Sequence, residues 1–129
     1  MVSLENGRVL ILGGFTENYA LTLVECAVLP TDDWRANTAG TSDPFWHLLA
    51  PMHEARASSG ACALHGRVFV AGGVDSDHAI LWSVEYFEAP KDDIGAGYWT
   101  VVQRMNEPRD TFSLLALDDR LYAFGTYSP

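Results

Sequence analysis

The chain has 129 residues, 48% of them apolar and 12% aromatic, enough to bury one modest core and too few for two ordinary domains. Eight basic residues against 17 acidic ones leave a formal charge of -9, which repels phosphate backbones and anionic lipid and so argues against nucleic-acid or membrane-surface binding. The longest apolar run near the start, Val9 to Leu12, is too short for a signal-peptide core or a membrane span, and Cys26 and Cys62 make neither a metal spacing nor a disulfide framework, which points to reduced packing residues in a cytoplasmic protein.

In chain order, the first apolar segment is "RVLIL" at Arg8 to Leu12, which ends on Gly13-Gly14. Leu21 to Leu29 forms the next, and Phe45 to Leu49 follows a long stretch of turn formers, Pro30 to Pro44. Ala57 to Leu64 is nearly all small side chains, and "RVFVA" at Arg67 to Ala71 again ends on a glycine pair, Gly72-Gly73. Ile80 to Glu88, Trp99 to Gln103, Phe112 to Leu117 and Leu121 to Phe124 complete the series. None carries helical periodicity over a helix's length, so an all-β chain of short strands is expected. "VFVA" is apolar at consecutive positions, which requires burial of both strand faces. The glycine pairs are not phosphate-binding loops, because "GGFTENYA" and "GGVDSDHA" supply neither G-x-G-x-x-G nor a following Lys-Ser/Thr. They predict a backbone bend after a buried strand.

The segments repeat. Trp46 and Trp99, Met52 and Met105, Arg56 and Arg109, Leu64 and Leu117, and Gly72 and Gly125 each lie 53 positions apart. An earlier copy precedes them: Gly13-Gly14 stands 59 residues before Gly72-Gly73, and "LVEC" at Leu23 stands 60 before "SVEY" at Ser83. The surplus is a loop insertion within Pro30 to Pro44. Naming the segments A to D within each unit, the order reads B-C-D, then A-B-C-D, then A-B. Units of about 50 residues built from four antiparallel strands are β-propeller blades.

The glycine pair, the downstream "VE", the Trp of segment D and the M-x-x-x-R after it resemble kelch repeats over almost the whole chain, most closely those of the BTB-kelch proteins. The resemblance implies an incomplete all-β kelch propeller: a partial blade over residues 1–50, a complete one over 51–104 and a partial one over 105–129. Three units cannot close a ring that needs roughly four to eight. The chain is therefore expected to be a piece of a longer protein, with self-association through open blade edges as the other way of covering its outer faces.

Strand direction puts the B-to-C and D-to-A loops on one face. These loops hold Phe15, Glu17, Tyr19, His53, Glu54, Ser58, Asp75, Asp77, His78, Asp110, Thr111 and Tyr127, the candidate partner-binding residues. Six loop carboxylates, Glu17, Glu54, Asp75, Asp77, Glu107 and Asp110, outnumber Arg56 and Arg109, so a bound segment should be basic. In the adaptors that the chain resembles, the residues just after the arginine and those of the B-to-C loop grip a peptide. Carried over by motif, these are Ala57, Ser58, Asp110, Thr111, Phe15, Tyr19, Asp75 and His78. Where family members that take acidic peptides place arginine, this chain has Ala57, Ser58 and Asp110. Gly13, Gly14, Gly72, Gly73, Trp46, Trp99, Arg56 and Arg109 recur with the repeat and are expected to be structural, the tryptophans as wedges between blades.

No catalytic residues, cofactor or metal are expected. His47, His53, His65 and His78 are scattered, and "DSDH" at Asp75 lacks the remaining oxygen ligands of a calcium loop. The expected function is protein binding, as the substrate-recognition propeller of a cullin-RING ubiquitin-ligase adaptor. Alternatives are an actin-associated scaffold and, from another class, part of a kelch-type propeller oxidase.

Overall fold

A computed structural model describes residues 1–4, 7–29, 46–90 and 95–125 of the chain, and every regular element among them is a β-strand. The strands are β1 (Val2–Ser3), β2 (Arg8–Leu12), β3 (Val24–Val28), β4 (His47–Leu48), β5 (Gly60–Leu64), β6 (Arg67–Ala71), β7 (Val84–Glu88), β8 (Tyr98–Val102), β9 (Phe112–Leu117) and β10 (Arg120–Gly125). They form three antiparallel sheets in the orders β1-β2-β3-β4, β5-β6-β7-β8 and β9-β10. The turns from β5 to β6 and from β9 to β10 each place two consecutive residues in the left-handed region, His65-Gly66 and Asp118-Asp119. That backbone twist suits tight hairpins.

Strand β6 is the middle of the structure. Val68 and Val70 pack with Leu10, Leu12 and Cys26 of the first sheet, together with Phe87 and Trp99 of their own. Phe69 and Ala71 face the other way and meet Leu114, Phe112, Leu121 and Ala123 of the third sheet. Both faces are thus buried, as the unbroken apolar run requires, and each fully buried Val or Leu contributes about 1.5–3 kcal/mol. The inner strands approach closely: Gly60 lies against the side chains of Leu114 and Phe112. The face of the third sheet that points away from β6 carries Leu115, Leu117, Tyr122 and Phe124, all exposed. By the repeat these stand where Cys62, Leu64, Phe69 and Ala71 stand in the second sheet.

Several elements differ from the sequence expectation. The first unit, expected to hold segments B, C and D alone, has four strands, because Val2 and Ser3 pair with Leu10 and Val9. Two residues are too few to show periodicity. Segment A of the second unit begins at Gly60 rather than Ala57, since Ala57 makes an isolated bridge to Val74 and Ser58 turns left-handed at φ 55°. Segment C begins at Val24 and Val84 rather than Leu21 and Ile80. Leu21 and Thr22 spend their carbonyls on Arg56 and Met52, and Leu81 and Trp82 spend theirs on Arg109 and Met105. Segment D is His47–Leu48 in the first unit and Tyr98–Val102 in the second. The Pro30 to Pro44 insertion lies outside the described residues.

Candidate functional site

The side of the sheets that carries the candidate residues is tied together by a repeated latch. Arg56 sits in the connection from the first sheet to the second with its side chain fully buried. Its Nη1 donates to the Gly72 carbonyl at 2.8 Å and the Ser83 carbonyl at 3.3 Å, and its Nη2 donates to Ser83 Oγ at 3.0 Å and Glu85 Oε2 at 3.0 Å. Glu85, 1% exposed, also accepts the backbone N–H groups of His53 at 2.9 Å and Glu54 at 3.3 Å. The backbone carbonyl of Arg56 points back and accepts the Gly14 N–H at 3.0 Å. One arginine therefore joins two sheets: its guanidinium holds the second and its carbonyl holds the first.

Arg109 repeats the device, with its carbonyl on the Gly73 N–H at 2.8 Å and its Nη1 on the Gly125 carbonyl at 3.0 Å. The leading glycine of each pair is demanded by that carbonyl. Gly13 (φ 63°) and Gly72 (φ 60°) are left-handed, and a Cβ on either would overlap the carbonyl oxygen of Arg56 or Arg109.

Around the latch the loops meet. The rings of Phe15 and His78 stack at 5.4 Å, and Ser76 Oγ accepts the Ala20 N–H at 3.0 Å, joining the B-to-C loops of the first and second sheets. Ala57 and Val74 exchange N–H···O bonds of 3.0 and 2.8 Å, and the Ser58 carbonyl accepts the Thr111 N–H at 2.9 Å. Ser58 and Thr111, 53 positions apart, are both left-handed at φ 55° and 49°. Glu17, Tyr19 and Asp77 stand exposed at the loop tips.

A tandem of glycine pairs, each gripped by the next unit's arginine carbonyl, with a tryptophan wedged between four-stranded sheets, is a propeller-blade arrangement, and the comparisons agree with it. Over 83 residues, 64% of this chain and 12% of the relative, the sequence is 36% identical to Kelch-like protein 40 of Mus musculus. Over 84 residues, 64% of this chain and 15% of the relative, it is 32% identical to Kelch-like protein 28 of Homo sapiens. These are kelch repeats. A third relative, the Influenza virus NS1A-binding protein homolog of Xenopus laevis, is 32% identical over 83 residues, 64% of this chain and 12% of that protein. No protein-family model matches the chain. The chain spans 12 to 15% of the length of these relatives.

The kelch geometry alters the charge count of the loop face. Arg56 is inside, and Arg109 is 21% exposed, its Nη2 on Glu107 at 3.2 Å. Asp75 turns its carboxylate onto the N–H groups of Asp77 and Ala79, both at 2.9 Å. Glu54 contacts the Ser83 hydroxyl and lies 3.5 Å from Arg56. His53 is exposed and its Nδ1 stands 3.7 Å from Glu85. Asp110 accepts the Thr111 hydroxyl at 3.4 Å. Ala57 is buried and presents no side chain to solvent. Trp99 is buried against Phe87, with its Nε1 donating to the Ala50 carbonyl at 2.8 Å, whereas Trp46 is half-buried. Tyr127 lies outside the described residues.

Sequence reasoning did not connect Arg56 with Glu85 and Ser83. The signal was present, since the arginine recurs at 53 and the "VE" at 60, and a charge recurring beside an apolar core needs an opposite charge. Among the described residues no three of His, Cys, Asp and Glu are grouped to hold a metal ion.

Proposed function

We propose that the kelch loop face grips an extended, basic segment of another protein. The observation that carries this reading is the burial of Arg56 at 0% exposure: its guanidinium is consumed by the fold and Arg109 is paired with Glu107, while Glu17 and Asp77 stand in solvent. Phe15 and His78 form a stacked aromatic shelf beside them, and aromatic anchors dominate interface energies. The kinship with kelch-like proteins supports a further step, that the parent protein selects substrates for a cullin-RING ubiquitin ligase. The exposed Leu115, Leu117, Tyr122 and Phe124 support a second contact, in which copies of the chain associate through the outer face of the third sheet.

Titration of the chain with matched peptide libraries, one Lys/Arg-rich and one Asp/Glu-rich, tests the first step. Binding of the basic set that weakens as salt rises supports it, and preference for the acidic set overturns it. Recovery of a cullin with the full-length parent tests the ligase step. Recovery of actin in its place would favour the scaffold reading.

A further inference from the structure

Two hairpin tips are locked together on the loop face. The loop from β2 to β3 is closed by the Phe15↔Ala20 bridge and by the Thr16 N–H on the Tyr19 carbonyl at 2.9 Å, with Glu17 at its tip. The loop from β6 to β7 is closed by the Val74↔Ile80 bridge and by the His78 N–H on the Asp75 carbonyl at 3.1 Å, with Asp77 at its tip. The residues on either side of Asp77 both touch the first hairpin: Ser76 Oγ accepts the Ala20 N–H at 3.0 Å, and the His78 ring stacks on Phe15 at 5.4 Å. Phe15 is still 41% exposed, so much of its ring is open to solvent where the two tips meet. Asp75 and Glu54 spend their carboxylates on the fold, but among the described residues Glu17 and Asp77 have no hydrogen-bond or ion-pair partner for theirs. Both sheets that carry these loops have all four strands, so the arrangement belongs to the interior of the repeat array.

We propose that the Phe15–His78 shelf is an arginine-selective site: an arginine of the bound segment stacks on the exposed Phe15 ring and donates to Glu17 and Asp77, and lysine is taken less well. The inference rests on the basic-segment reading of the loop face and adds its side-chain specificity. A guanidinium is planar, so it can lie on a ring through its face while its edges donate to carboxylates, whereas a compact, strongly hydrated ammonium cannot do both. The chain already holds its own arginines in this way. Arg67 lies 4.6 Å from the centre of the Tyr86 ring while its Nε donates to Glu88 at 2.7 Å, and Arg104 lies 5.1 Å from the centre of the Trp82 ring.

Fluorescence anisotropy with the 129-residue chain and two labelled Gly/Ser peptides of equal length and charge, one with three arginines and one with three lysines, tests it. The arginine peptide should bind about three- to fivefold more tightly. Phe15→Leu, which keeps an apolar side chain, and His78→Asn, which tolerates the left-handed backbone at φ 63°, should each bring the ratio close to one and leave lysine-peptide binding nearly unchanged. Glu17→Gln and Asp77→Asn should weaken both peptides. Equal binding of the two peptides to the unaltered chain overturns the arginine site and leaves the basic-segment reading standing, and so does an arginine preference that survives both shelf variants. Binding of neither peptide by a chain whose circular dichroism shows folded β-structure, or tighter binding of an Asp/Glu peptide, overturns both.

Discussion

Arg56 Nη2 and Glu85 Oε2 meet at 3.0 Å with side chains 0% and 1% exposed. A buried pair of this kind adds little compared with an apolar pair of the same shape, but leaving one partner alone is costly. Arg56→Met should destabilise the chain by about 3–5 kcal/mol, read as a fall in the urea midpoint at constant slope. Arg56→Met combined with Glu85→Leu should recover much of the loss, because no lone charge remains buried. A double variant as unstable as the sum of the singles would show that the two residues act independently.

Gly13 and Gly72 hold the same place against the carbonyls of Arg56 and Arg109, whereas an added Cβ at Gly14 meets open space. Gly13→Ala and Gly72→Ala should each cost at least about 2 kcal/mol, from left-handed strain plus backbone displacement. Gly14→Ala, at φ 123°, should carry only the conformational part. Thermal or urea melts of the three variants rank them. Equal costs at Gly13 and Gly14 would mean that the carbonyl contact is unimportant.

Thr111 is β-branched and left-handed at φ 49°, held by the bond from its N–H to the Ser58 carbonyl. Such a residue stores strain of about 1–3 kcal/mol. Thr111→Gly should therefore raise stability by about 0.5–1 kcal/mol once glycine's larger unfolded-state entropy is subtracted. Thr111→Pro should lower it, since proline cannot reach positive φ. Both effects are measurable by chemical denaturation.

Burial pushes the Cys26 thiol up, against a smaller opposing pull from Arg8, and burial alone pushes up Cys62. A folded-state value above the unfolded one means that the stabilising contribution is intact below the ordinary thiol value of about 8.5 and is lost as pH rises through the folded value. Urea midpoints should therefore decline above that pH, and Cys26→Ala should flatten the decline. Alkylation by iodoacetamide at neutral pH should be slower at both thiols than at a free cysteine, because the thiolate is the reacting form.

Much of the fold was legible because it rests on local rules. "RVLIL" and "RVFVA" became β2 and β6 with the expected limits, since a run of branched apolar residues ending at glycine is a strand whatever surrounds it. Segment A of the last unit, Phe112 to Leu117, likewise matched β9. The strand starts at Leu21 and Ile80 were misplaced because Leu21, Thr22, Leu81 and Trp82 give their carbonyls to linkers tens of residues later, and the start at Ala57 because its backbone bridges Val74 instead. The two-residue β1 carried no pattern at all. The loop face followed the same division. That Phe15 and His78 share one face followed from strand direction, but their stacking at 5.4 Å did not.

By itself the sequence determined the β class, the repeating unit and the requirement for glycine at the bends, because strand burial and backbone sterics act over a few residues. The tertiary structure alone decided that Arg56 lies inside. That outcome depends on which distant strand arrives beside the guanidinium: β7 brings Ser83 and Glu85 to Arg56. The charge that a partner meets is thus set by packing between layers, and composition counts an arginine the same whether it faces water or a buried carboxylate.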